Sequence, residues 1–207
     1  MSSVLGICNL HDCPRLGRLT AKRSIGSVTF LGRYGLIDFA LSNFSNSGID
    51  KVAILVENYS HSIRTHVLNG TAWINNTKTG FQKILYNEKQ FSSPKFNTDI
   101  NNILANRICS KDSAEVVVIA PAHMVLSINL RPYIQQLMES DNDLSIIYSE
   151  TKSAGKTFYG CDKLTLDNKN LVTNIEKIDS EDKKENVSLE IFIMKKEMFE
   201  KFVFYKK

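Results

Sequence analysis

The histidines and cysteines are among the residues of this chain that could ligate a metal ion, and a cysteine could also act as a nucleophile. His61 and His66 fall five residues apart in a predicted helix, whereas two histidines that share a metal on one helical face are spaced i, i+4. We therefore expect both to pack or to lie at the surface. The four cysteines contain no CxxC pair, which argues against a zinc site and a disulfide framework and favours a reducing compartment.

The charge and the hydropathy of the sequence argue against nucleic acid and membrane as partners. The net charge is +4, and the basic residues are mixed with acidic ones along the chain, so no basic stripe indicates nucleic-acid binding. No apolar run approaches the about 20 residues of a membrane span, and residues 4–8 are too short an apolar run for a secretory leader. We expect a cytoplasmic protein of one or at most two domains that binds neither nucleic acid nor membrane.

Strands and helices are predicted to alternate over the first two thirds of the chain. Four apolar residues recur at helical spacing within residues 34–47 and precede Gly48, a helix stop; they are Ile37, Ala40, Leu41 and Phe44. The predicted strands are residues 4–8, 51–56, 115–120 and 143–149, and the other predicted helices are residues 60–69, ended by Gly70, and a segment from near Leu130 with Pro132 in its first turn. This alternation predicts an α/β, Rossmann-like fold: a mainly parallel sheet with helices on both faces.

The remaining segments follow a different pattern. Residues 71–96 carry little periodicity beyond 81–86, which indicates a long excursion at the sheet edge. Residues 161–166, 171–177 and 188–194 predict strands of a β-rich C-terminal segment, with a turn at 167–170, and residues 195–202 predict a short helix.

One motif carries a family resemblance. Residues 30–43, FLGRYGLIDFALSN, followed by NSGI at 46–49, resemble the loop and helix FGG(K/R)YRIIDFALSN…NSGI of bacterial glucose-1-phosphate adenylyltransferases. RLGRLT at 15–20 and SHSIR at 60–64 resemble that family's RLxxLT and SHSLxRH. The resemblance implies a nucleotidyltransferase domain over residues 1–207 that transfers an adenylyl group from ATP, with Mg²⁺, to glucose 1-phosphate in glycogen synthesis.

The residues that this resemblance assigns to the triphosphate and the metal are changed. The family's glycine loop, GGxGxRL, presents backbone N–H groups to phosphate; here its glycines fall on Leu10, His11 and Cys13, with Asp12 between them. The family's phosphate-binding lysine falls on Ile25, the first glycine of its GG pair on Leu31, and its metal-holding aspartate on Ala122, before the retained His123. We therefore expect no catalytic residue, no metal ligand and no cofactor in this chain.

The sugar-phosphate side of the implied pocket is chemically intact. The resemblance carries glucose 1-phosphate contacts onto Gly160, Glu176, Lys177 and Ser188, although each has a structural alternative as a turn glycine, an exposed ion pair or a strand serine. Arg15 and Arg33 are candidate phosphate contacts, with loop anchoring as the alternative for Arg33. Asp38 is predicted to anchor the matched helix rather than to catalyse.

Three functions are compatible with this pattern. The first is a regulatory, catalytically impaired subunit that forms a hetero-oligomer with a catalytic homologue and binds glucose 1-phosphate or an allosteric sugar phosphate. The alternatives are a divergent active adenylyltransferase and a truncated sugar-phosphate-binding module. Hexapeptide repeats of the left-handed β-helix that follows this domain in the family are absent from the sequence, so we expect a truncated domain.

Overall fold

The computed structural model describes residues 3–11, 13–56, 58–68, 71–86, 103, 108, 113–179, 181 and 183–204. The chain divides into two compact units, one of Met1–Leu144 with Ile193–Lys207 and one of Ser145–Phe192. The strands are β1 Val4–Asn9, β2 Thr29–Phe30, β3 Tyr34–Gly35, β4 Lys51–Val56, β5 Phe81–Tyr86, β6 Val116–Pro121, β7 Leu144–Thr151, β8 Asp162–Leu166, β9 Val172–Lys177 and β10 Glu185–Lys195. The helices are α1 Leu36–Asn46, α2 Ser60–Val67, α3 Arg131–Glu139, α4 Ala154–Thr157 and α5 Lys196–Phe204.

A parallel sheet forms the centre of the first unit. Its strands follow the order β5, β4, β1, β6, and β1 pairs in parallel with both β4 and β6, with Ile7 opposite Ala53 and Ile119. Consecutive residues of β1, β4 and β6 are buried, which requires cover on both faces of the sheet, because successive side chains point to opposite faces. The predicted α/β class with a parallel core is confirmed, and β5 lies at the edge of this strand order.

Helix α1 packs its predicted apolar face into the core. Ile37, Leu41 and Phe44 are fully buried, and each contributes about 1.5–3 kcal/mol through burial alone. The helix ends as predicted, because Gly48 takes the left-handed conformation, with φ of +75°, and the Ile49 N–H donates to the Phe44 carbonyl.

Two helix boundaries differ from the prediction. Helix α1 begins at Leu36 rather than at Tyr34, because the carboxylate of Asp38 accepts a hydrogen bond from the Gly35 N–H at 2.9 Å and so fixes the first turn. Tyr34 and Gly35 instead pair with β2 as strand β3. Helix α2 ends at Val67 because Leu68 adopts a φ of +52°, and the predicted stop at Gly70 lies outside the described residues. So do residues 87–96 of the predicted excursion.

The second unit is built mainly from antiparallel pairs. Strand β8 pairs with β9 and with β10, and β7 also pairs with β10. Ala154, Ile178 and Val187 form its buried cluster, against which Phe158 and Cys161 pack. The predicted β-rich segment is therefore confirmed, whereas the four-residue helix α4 was not predicted. None of the helices in the described part of the chain is long and apolar enough to cross a membrane.

Candidate functional site

A cavity of about 510 Å³ lies where β1 and β4 end. Neighbouring parallel strands bring their carboxyl ends to the same edge of a sheet, which is the usual ligand position in α/β folds. The Tyr59 hydroxyl donates to the Ala21 carbonyl at 2.8 Å and holds the loop after β1 against the segment that precedes α2. The lining residues are Leu10, Cys13, Pro14, Arg15, Gly17, Thr20, Ala21, Arg23, Ser24, Ile25, Asn58 and Tyr59.

Two backbone donors of the loop after β1, those of Leu10 and His11, are bonded within the protein. The Leu10 N–H donates to the Leu55 carbonyl at 3.0 Å, and the His11 N–H donates to Oδ1 of Asn9 at 3.1 Å. A phosphate cradle needs such N–H groups to point at the ligand. These two therefore do not face the cavity as phosphate donors.

The side chain of Leu10 fills space that a glycine would leave open. Leu10 is 5% exposed, and a methyl group added to Gly26 would lie 2.8 Å from Leu10 Cδ2 and 3.1 Å from Ile63 Cδ1. Ile25, at the position that the resemblance gives to a lysine, is also buried. Apolar packing has therefore taken over two positions that the resemblance assigns to phosphate binding.

The position that the resemblance gives to a metal-holding aspartate is enclosed. Ala122 has no exposed surface, and its N–H donates to the Asn9 carbonyl at 3.0 Å. Beside it, Nδ1 of His123 lies 3.7 Å from Sγ of Cys13. The retained histidine therefore contacts a thiol that stands at a family glycine position.

Magnesium does not fit the residues described at this position. Mg²⁺ takes hard oxygen ligands, usually including one or two carboxylates, and Ala122 supplies none. Among the residues that the structure describes, no group of three or more His, Cys, Asp or Glu side chains could hold a metal ion; Asp12 lies outside them.

The structure separates the two candidate phosphate contacts. Arg15 lines the cavity, whereas Arg33 lies in the β2–β3 hairpin with its guanidinium 5.6 Å from the centre of the Tyr34 ring. The hairpin turn keeps left-handed backbone at Leu31, with φ of +51°, and at Gly32, with φ of +72°. Leu31 thus occupies a conformation that suits the glycine implied by the resemblance.

Asp38 has the anchoring position that the sequence predicts. One of its carboxylate oxygens lies 2.8 Å from Nε2 of His66, and the other accepts the Gly35 N–H. This pair ties α1 to α2, so His66 packs as predicted. A methyl group on Gly35 would lie 2.5 Å from the same His66 nitrogen, so a larger residue at position 35 would require the His66 side chain to move.

Two of the sugar-phosphate candidates, Glu176 and Lys177, lie on β9, whereas Ser188 lies on β10, and β8 stands between these two strands. Lys177 lies opposite Asp162 in the β8–β9 register, and Glu176 lies opposite Lys163. The Lys177 ammonium lies 2.7 Å from the Asp162 carboxylate, and this hydrogen bond raises the pKa of Lys177. Glu176 lies 3.8 Å from Lys163, so both residues already have a partner of opposite charge.

Ser188 and Gly160 also have structural roles in this unit. Ser188 is buried, and its Oγ accepts the Glu190 N–H at 3.1 Å. Gly160 has a φ of +79°, and its N–H donates to the Ile178 carbonyl at 3.0 Å. Ser188 follows Val187, the register partner of Lys163, and successive strand residues point to opposite faces of a sheet, so Ser188 does not share a face with the Lys163–Glu176 pair. Ligand binding by these four residues stays a prediction.

Residues 13–207 match the family model described as nucleotidyl transferase. The chain belongs to the nucleotidyl transferase family. Over 182 residues it is 28% identical to a glucose-1-phosphate adenylyltransferase of Lachnospira eligens. This aligned region covers 86% of this chain and 42% of that protein. The chain thus spans about two fifths of the length of this curated relative.

Solved structures share the fold at low identity. HddC from Yersinia pseudotuberculosis superposes with a TM-score of 0.71 and 14% identity, covering 97% of this chain and 79% of HddC. A Bacillus anthracis protein provisionally named a glucose-1-phosphate thymidylyltransferase, crystallised with sucrose, superposes with a TM-score of 0.71 and 12% identity. That superposition covers 99% of this chain and 76% of the Bacillus anthracis chain. These similarities show that this nucleotidyl transferase family member has a mixed α/β sheet with a parallel core and the nucleotidyltransferase-like fold.

Sequence reasoning missed three features of the cavity. Arg23 and Tyr59 line it, and Cys13 meets His123 across 110 residues of sequence. Arg23 could have been found from the sequence, because it lies in the loop that follows the first predicted strand. The contact between Cys13 and His123 could not be found from the sequence, because it depends on β1 and β6 lying side by side.

Proposed function

We propose that this chain is the regulatory, catalytically impaired subunit of a glucose-1-phosphate adenylyltransferase that works in cytoplasmic glycogen synthesis. In this proposal a catalytic homologue uses ATP and Mg²⁺ to make ADP-glucose and pyrophosphate, and the two chains form a hetero-oligomer. This chain contributes a sugar-phosphate site and needs no cofactor of its own. The similarity to the Lachnospira eligens adenylyltransferase supports the choice of reaction.

The proposal rests on the contacts that the loop after β1 makes within the protein. The Leu10 and His11 N–H groups are bonded within the protein, and the Leu10 side chain packs against Gly26. Nucleotidyl transfer depends on positioning and neutralising the triphosphate. A loop with inward donors and an apolar side chain in the cradle does neither, which disfavours the alternative of a divergent active enzyme.

The first test measures pyrophosphate release. We expect this chain alone, given ATP, Mg²⁺ and glucose 1-phosphate, to show no turnover above background. Mixed with a glucose-1-phosphate adenylyltransferase of the same organism that retains the glycine loop, it should co-elute as a complex and change kcat or KM by about 5-fold or more, as a coupling of 1 kcal/mol or more gives. Turnover by this chain alone would support the divergent enzyme, and the absence of both complex and kinetic change would remove the regulatory role.

The second test asks whether the sugar side binds without a partner. Calorimetry should detect glucose 1-phosphate, and Lys177→Met should weaken its binding about 10-fold, because a charge-assisted contact to phosphate contributes roughly 1.5–3 kcal/mol. Lys184→Met is the matched control, since Lys184 is a similarly exposed lysine, 2.8 Å from Glu150 in the same unit. Equal affinities for the two variants would contradict the assignment of Lys177.

A further inference from the structure

A thiol–imidazole pair that the proposed regulatory function does not use lies at the wall of the cavity after β1, with its thiol lining the cavity. Cys13 lines the cavity, it is half-buried, and its Sγ lies 3.7 Å from Nδ1 of His123. The imidazole is therefore placed to accept the thiol proton. A thiolate is the nucleophilic form of cysteine, and a neighbouring cationic group favours it.

Two arginines place positive charge in the same cavity as Cys13. Arg15 and Arg23 line the same cavity as Cys13, and positively charged walls raise the local concentration of anions. A reagent that carries carboxylates would therefore meet Cys13 more often than a cationic reagent of similar size. The cavity of about 510 Å³ is within the range that accommodates a small organic molecule.

The other described cysteines lack this setting. Cys8 has no exposed surface, and burial, followed by the neighbouring Cys13, raises the pKa of its thiol. Burial also raises the pKa of Cys161, and the charge of Glu190 adds to that effect. Cys8 is thus enclosed, and the raised pKa of Cys161 lowers the fraction of its thiolate form, so both cysteines serve as internal controls.

We propose that Cys13 is a modification site that exchanges with an anionic low-molecular-weight disulfide. His123 takes the proton of the Cys13 thiol, and the thiolate attacks one sulfur of the disulfide. A bond forms between Cys13 Sγ and that sulfur while the original S–S bond breaks, and the departing thiolate takes up the proton. The products are a mixed disulfide on Cys13 and one small thiol. The inference does not depend on the regulatory role, because it uses the geometry of the cavity alone.

The experiment follows modification by glutathione disulfide, an anionic probe, in the native full chain. Cys8 and Cys13 fall on one tryptic peptide, residues 1–15, so tandem mass spectrometry is needed to separate them. We expect Cys13 to react about tenfold or more faster than Cys161, Cys8 to stay unmodified, and His123→Asn to slow Cys13 about tenfold or more. Unfolding in urea should abolish the difference between the cysteines.

A second measurement keeps the proposal testable if His123→Asn does not fold. The ratio of rate constants for glutathione disulfide and for cystamine, a dication, should fall about tenfold in the double variant Arg15→Gln, Arg23→Gln. The matched control is the double variant Arg33→Gln, Arg64→Gln, which removes two exposed arginines that do not line this cavity. Native Cys13 reacting no faster than Cys161, or a ratio that falls equally in both double variants, would overturn the proposal.

Discussion

Replacing Phe44 by alanine is expected to lower the free energy of unfolding by about 3–5 kcal/mol, the range for truncating a buried phenylalanine. Phe44 has no exposed surface, and a methyl group on Gly6 of β1 would lie 3.2 Å from its ring. The ring therefore fills the contact between α1 and the central strand. Urea unfolding followed by circular dichroism measures the loss.

The control for this variant is a phenylalanine on a different helix. Phe202 on α5 is 52% exposed, so Phe202→Ala should cost less than about 1 kcal/mol. If Phe44→Ala does not fold, Phe44→Leu provides a graded change with an expected loss of about 1.5 kcal/mol. Equal losses for the Phe44 and Phe202 variants would show that α1 does not pack on β1 as described.

The parallel core could be predicted because its signals are local. The apolar spacing in α1 and the β-branched run in β6 each suit one kind of element. The start of α1 could not be placed, because it is fixed by a hydrogen bond from Gly35 to Asp38 and by the pairing of Tyr34 with Phe30. Helix α4 was missed since its four residues are too few to show periodicity.

The candidate site was predictable by residue type but not by geometry. The resemblance identified which positions had changed, including Leu10 and Ala122. That the Leu10 N–H donates to Leu55 and that its side chain packs on Gly26 depends on chain segments distant in sequence. The resemblance could therefore indicate changed residues at the implied phosphate positions, but not that Leu10 packs there against Gly26.

The enclosure of Ala122 predicts that introducing the aspartate that the resemblance implies at this position would destabilise the protein. Ala122→Asp should lower the free energy of unfolding near neutral pH by about 3–5 kcal/mol, the range for an uncompensated buried charge. Ala122 is fully enclosed, and its own N–H is already bonded to Asn9.

Ala122→Asn is the matched control, because it adds nearly the same volume without a charge. It should cost about 1–3 kcal/mol, as burial of an unpaired polar group does. The Asp variant should approach the Asn variant in acid, since protonation removes the buried charge in the folded state, and the gap should widen as pH rises and the unfolded chain ionises. Chemical denaturation of both variants at acidic and neutral pH measures this gap. An Asp variant as stable as the Asn variant at neutral pH would mean that position 122 can still hold a carboxylate, and the enclosed site inferred from Ala122 would be wrong.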